Sequence, residues 1–77
     1  MVQAYILIQT EVGRAREVAS VIREMPGVLR VDAVTGPYDV IVLSEVHSVD
    51  ELDQLVLSKM HVIGGIQRTL TCSVVHF

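Results

Sequence analysis

The sequence predicts an α+β fold in which a four-stranded antiparallel sheet carries two helices on one face. Three observations lead there. Apolar periodicity switches from strand to helix and back to strand twice along the chain. Glycine and proline punctuate the switches at Pro26-Gly27, Gly36-Pro37 and Gly64-Gly65. Two of the strand-like runs are apolar on both parities, as strands at the centre of a sheet tend to be.

Residues 2–9 form the first predicted strand, with Ala4, Ile6 and Ile8 on one parity and Tyr5 and Leu7 on the other. Residues 11–24 adopt a helical period. Val12, Ala15, Val18, Ala19 and Ile22 share one stripe, while Arg14, Arg16, Glu17, Arg23 and Glu24 fall mostly off it. Thr10 is the expected N-cap. Pro26-Gly27 stops the helix because proline cannot continue the hydrogen-bond ladder. Residues 28–35 alternate again, Leu29, Val31 and Ala33 opposing Arg30 and Asp32, which describes a half-buried strand. Gly36-Pro37 turns the chain into a third strand, residues 38–46, built on the apolar run Val40, Ile41, Val42 and Leu43.

Ser48 followed three residues later by Glu51 is a capping-box signature. The helix beyond it directs Val49, Leu52, Leu55 and Val56 to the core, and residues 61–65 end it. The last strand, residues 66–77, sets Ile66, Leu70, Cys72 and Val74 against Gln67, Thr69, Thr71 and Ser73. Strand-helix-strand therefore occurs twice. The economical architecture is a ferredoxin-like βαββαβ sandwich with the first and third strands central.

Composition limits what such a chain does. Its 77 residues make one domain, residues 1–77. A domain of this size buries only ~60% of the surface its unfolded chain exposes. Yet 51% of the residues are hydrophobic and the mean hydropathy is +0.50. With helices on one face only, Tyr5, Leu7 and one side of the third strand need a cover. Dimerisation through the sheet is the expected solution. A net charge of −3, a pI near 5.4 and scattered arginines give no basic footprint for nucleic acid. The single cysteine, Cys72, builds no internal disulfide, and a reducing, cytoplasmic setting fits it. No apolar run approaches the ~20 residues of a membrane span, and no cleavable leader is apparent.

The most specific local feature is Thr35-Gly36-Pro37-Tyr38-Asp39, between the second and third strands. Gly64-Gly65-Ile66 followed by Arg68-Thr69-Leu70-Thr71 completes a pattern with it. On these residues the whole chain resembles the effector-binding (RAM) domain of the Lrp/AsnC family of transcription regulators, with its Gly-x-aromatic-Asp loop. Regulators of that family carry a helix-turn-helix ahead of this domain. Nothing here precedes the first strand, so the chain resembles the stand-alone form, and direct DNA binding is not expected.

The resemblance implies a small amino acid bound between subunits, a homodimer assembled into a higher-order ring, and full-length Lrp/AsnC-type regulators as partners. The ligand-binding candidates are Gly36, Tyr38, Asp39, Thr69 and Thr71. Their chemistry suits the role. Gly36 admits close approach or a positive φ. Tyr38 walls an apolar pocket and still presents a hydroxyl. Asp39 pairs with an α-ammonium group, and Thr69 and Thr71 donate to a carboxylate from one strand face.

Plainer roles stand beside these. Gly36-Pro37 is also an ordinary turn, Asp39 also a cap for local amides, and the threonines also good strand formers. Arg68 is placed to pair with Asp32 or Glu45 across the sheet. Cys72 lies on the apolar parity and reads as buried filler. His47, His61 and His76 lack metal-ligand spacing. No metal, cofactor or catalytic residue is expected. The rival functions are a small dimeric αβ-barrel enzyme, an isomerase or cofactor-free oxygenase using Asp39, His47 or His61, and a purely structural oligomer. A regulatory domain of the ACT type shares the fold, but its glycine signature would fall near Gly13.

Overall fold

In a computed structural model that describes all of residues 1–77, the elements follow the predicted order. They are β1 (Val2–Thr10), α1 (Ala15–Arg23), β2 (Val28–Ala33), β3 (Val40–Val46), α2 (Val49–Asp53) and β4 (Ile66–Ser73). A π-helical segment, Gln54–Met60, extends α2 directly. The strands form one antiparallel sheet in the order β2-β3-β1-β4, so β1 and β3 are central and the fold is ferredoxin-like.

The pleat sorts residues between two faces. Ala4, Ile6 and Ile8 of β1, Val40, Val42 and Val46 of β3 and Val31 of β2 point to the helices. There they meet Val18, Ala19 and Ile22 of α1 and Leu52, Leu55, Val56 and Met60 of the second helix. Ser44 is a fully buried polar residue inside this layer, and its hydroxyl donates to the Ala4 carbonyl at 3.2 Å.

The opposite face has no cover. Two rows cross it from β2 to β4: Asp32, Ile41, Leu7, Leu70 and Arg30, Leu43, Tyr5, Cys72. Tyr5 is 46% exposed and Leu70 47%. Arg30 Nε donates to Asp32 Oδ2 at 2.8 Å along the β2 edge, and Gln3 Nε2 to Glu45 Oε2 at 2.8 Å.

Several expectations are corrected. Thr10 ends β1 and does not cap α1; Arg14 occupies the N-cap, without a side-chain cap bond. Val12 therefore lies in the loop, fully exposed, and Val49 at the first turn of α2 is exposed too. β3 starts at Val40, because the Tyr38-Asp39 backbone belongs to the preceding loop. The capping box forms, with Glu51 N–H donating to Ser48 Oγ at 3.2 Å. Its reciprocal bond reaches the His47 N–H at 3.0 Å rather than that of Ser48.

The largest correction concerns β4, which ends at Ser73. Thr10 pairs with Ile66 and Gln9 with Arg68, so Gln67 is an extra residue in a bulge. One inserted residue moves every later side chain to the other face. Thr69, Thr71 and Ser73 consequently share the helix side with Ile8, Ile6 and Ala4, while Leu70 and Cys72 lie on the uncovered face. Cys72 is exposed, not buried filler. Arg68 sits on the edge strand opposite to β2, beyond reach of Asp32, and Glu45 is taken by Gln3.

The π-helical stretch also has a sequence cause. Continued as an α-helix, the stripe through Leu52, Leu55 and Val56 would next bury Lys59. The wider π turn exposes Lys59 and buries Met60 completely.

Gly27, after α1, holds φ at 88°, and a Cβ there would stand 3.1 Å from Val46 Cγ1. Gly27→Ala combines left-handed strain with a core contact. It is expected to destabilise the fold by about 1–2 kcal/mol, seen as a lower urea midpoint at unchanged slope.

Candidate functional site

The sequence candidates fall at one end of the sheet, where β1 finishes and three loops gather: residues 11–14, 34–39 and 61–65. The 34–39 loop is fastened to β1 by backbone and side chain together. Asp39 N–H donates to the Ile8 carbonyl at 2.9 Å, and Thr10 N–H donates to Asp39 Oδ2 at 2.8 Å. Gln9 Nε2 donates to the Pro37 carbonyl at 2.9 Å, and Val34 N–H to the Asp39 carbonyl at 2.9 Å. Asp39 thus acts as a latch whatever else it binds, since its charged oxygen satisfies the backbone N–H of the buried Thr10 at the strand end. Gln9 and Thr10 are the residues sequence reasoning missed. A glutamine and a threonine ending a strand carry no signal until the register is known.

Gly36 has φ 157°, at the extended border, and nothing stands within 4 Å of where a Cβ would be. Tyr38 and Asp39 are half-buried. On the far side of β1, Thr69 is half-buried and Thr71 exposed. Thr69 Oγ1 lies 2.8 Å from His61 Nε2. At the same end Arg14 lies against Gly65, whose φ is 98°. A Cβ on Gly65 would come within 3.2 Å of Arg14 Cβ and 3.4 Å of Cζ, so only glycine lets the arginine lie so close. Arg14 also pairs with Glu17, and Glu11 N–H donates to the Gly65 carbonyl at 2.8 Å.

The sheet brings the candidates to one end without joining them. Ile8 pairs with Val40 on one side and Thr69 on the other, so β1 separates the Asp39 loop from the threonines. Two strand spacings amount to ~10 Å. That spacing separates the backbones of β3 and β4; the Asp39 carboxylate itself reaches across to the Thr10 N–H of β1.

The surface cavities lie elsewhere. One of about 350 Å³ opens at the opposite end, between the Pro26-Gly27 turn and the start of α2, with Asp50, Gln54 and Lys59 on its wall. Another, of about 260 Å³, lies on the uncovered face among Tyr5, Arg30, Asp32, Ile41 and Leu43. The acid-base candidates do not converge: His47 follows β3 at the far end from Asp39 and His61. No helix is long and apolar enough to cross a membrane.

Residues 3–76 match the family model described as the Lrp/AsnC ligand binding domain. The chain is 34% identical over 68 residues to an uncharacterised HTH-type transcriptional regulator of Pyrococcus abyssi, covering 88% of this chain and 43% of that protein. A second such regulator, of Pyrococcus horikoshii, is 32% identical over 71 residues, with 88% and 47% covered. The chain therefore spans less than half the length of these relatives. Among solved structures it resembles TTHA0845 of Thermus thermophilus, at 34% identity and TM-score 0.95, covering all of this chain and 96% of that one. It also resembles the transcriptional regulator NMB0573 of Neisseria meningitidis, solved as a complex with L-Met. There the identity is 26% and the TM-score 0.87, over 97% of this chain and 50% of that one.

Proposed function

This chain belongs to the Lrp/AsnC ligand-binding domain family, and on that premise we propose that it is a non-enzymatic regulatory module that binds a small amino acid between subunits. What supports this reading is the family match together with the placement of Asp39 and Thr69 on either side of β1 at one end of the sheet. An ammonium-binding carboxylate and carboxylate-binding hydroxyls are present, and in this reading a complete site takes one half from each of two subunits. Gly36 and Tyr38 then flank the ammonium side, and Thr71 extends the carboxylate side. The uncovered rows through Leu7 and Tyr5 supply an interface for a dimer, the building block of a ring. The complex of the Neisseria relative with L-Met supports the ligand class.

Coupling follows from geometry. A pocket that exists only between subunits draws the population toward the assembled state when it fills. A full-length regulator of the same family would supply the output partner, by mixed assembly through the shared domain. The exposed free thiol of Cys72 agrees with work in a reducing cytoplasm.

Thermal-shift screening of the free amino acids at millimolar concentration tests the reading. At one hundred times its Kd, a true effector adds about 2.7 kcal/mol of stability, well above the scatter of a melting measurement. The same amino acid should raise the mass measured by light scattering. If none of them stabilises the protein, ligand sensing is wrong. Stabilisation without any change in assembly would mean that the pocket is already formed before the ligand binds, and coupling to assembly would be wrong.

A further inference from the structure

Thr69 meets the effector, in the reading above, through a hydroxyl that already has a neighbour. His61 Nε2 is 2.8 Å from its oxygen. A threonine hydroxyl owns one proton and two lone pairs. If the imidazole accepts from it, the proton is used and only lone pairs face outward, which repels a carboxylate. If Nε2–H donates to the oxygen, the threonine proton stays free to point at one. The histidine therefore sets the sign of the hydrogen bond that Thr69 offers.

We propose that His61 is a positioning residue for effector binding: its Nε2–H donates to Thr69 Oγ1, so that the hydroxyl becomes an obligate donor to the α-carboxylate. The proposal rests on the amino-acid-binding reading and adds a residue outside the five ligand-binding candidates. The backbone places His61 for this task. Its N–H closes the π-helical segment by donating to the Val56 carbonyl at 3.0 Å. The π turn that buries Met60 also carries the next residue round toward β4. The bulge at Gln67 then brings Thr69, rather than Arg68, to the helix side. His61 is exposed and contributes nothing to the apolar core, so its replacement leaves the fold intact.

The test is calorimetric titration of the full chain with the amino acid that most raises its melting temperature. His61→Ala is expected to weaken binding roughly tenfold, the value of one charge-assisted hydrogen bond. His61→Gln, which restores an N–H donor, is expected to recover most of that loss. In a Thr69→Val background His61→Ala should cost nothing further. Nitrogen NMR of the His61 ring reads the tautomer directly and needs no ligand; a protonated Nε2 is expected. Unchanged binding by His61→Ala overturns the proposal. So does an equal loss in the Thr69→Val background, or a ring protonated only at Nδ1. If the unmodified protein binds no amino acid, the functional reading falls and this assignment with it. Binding that ignores His61 removes this assignment alone.

Discussion

Leu7→Glu is expected to convert the sheet-to-sheet dimer to folded monomers and, because the proposed pocket forms between subunits of the ring those dimers build, to abolish amino-acid binding with it. Leu7 lies mid-sheet on the uncovered face, between Ile41 of β3 and Leu70 of β4. Its side chain is outside the helix-side core, so a monomer tolerates the charge. A sheet-to-sheet interface does not. Each subunit would bring one carboxylate into the apolar centre, away from Arg30 at the β2 edge. Removing an unpaired charge from water costs several kcal/mol, and there are two of them. Association should weaken by a factor of roughly 10³ or more. Light scattering reads the mass, and circular dichroism checks that the fold survives. A folded Leu7→Glu protein that keeps its assembled mass would show that the sheet face is not the interface. Loss of assembly with ligand binding intact would refute the two-subunit pocket instead.

The same face shows how far a sequence carries such an argument. That β1 and β3 are central follows from apolar residues on both parities of each, and the register agrees. The uncovered rows follow too, because helices on one side leave Tyr5 and Leu7 without neighbours. What the sequence does not show is where the period slips. Gln67 in the bulge is chemically ordinary, yet it exchanges the faces of Thr69 and Leu70. Met60 and Lys59 look like the tail of an α-helix until packing selects a π turn. Both departures lie in the second repeat, and both act on the carboxylate side of the candidate site. The Asp39 side was more legible, because Gly36 and Asp39 sit in a loop whose composition marks it. Even there the latch to Thr10 depended on pairing between distant strands. The proposed junction of the two halves would leave no periodic trace at all, since it would join different chains.

Asp39 carries the second large expectation, because two roles meet on one carboxylate and two substitutions separate them. Asp39→Ala removes the acceptor for the Thr10 N–H and releases the loop from β1. A hydrogen bond to a charged group is worth about 1.5–3 kcal/mol, a large share of the 5–15 kcal/mol typical of a whole domain. For a chain of this length each kcal/mol shifts Tm by about 4–8 °C, so a drop of roughly 6–24 °C is expected. Asp39→Asn keeps an oxygen to accept from Thr10 and loses only the charge. Its stability should fall by about 1 kcal/mol or less. Its amino-acid affinity should fall much further, tenfold or more, since a neutral amide cannot pair with an ammonium group. Scanning calorimetry and ligand titration on the two variants give four numbers. A stable Asp39→Asn protein that binds as tightly as the original would reduce Asp39 to a latch, and the ammonium would need another partner at the sheet end. An Asp39→Asn protein as unstable as Asp39→Ala would instead mean that the charge itself holds the loop. In that case the loss of binding would report the loop's position rather than direct contact with the ligand.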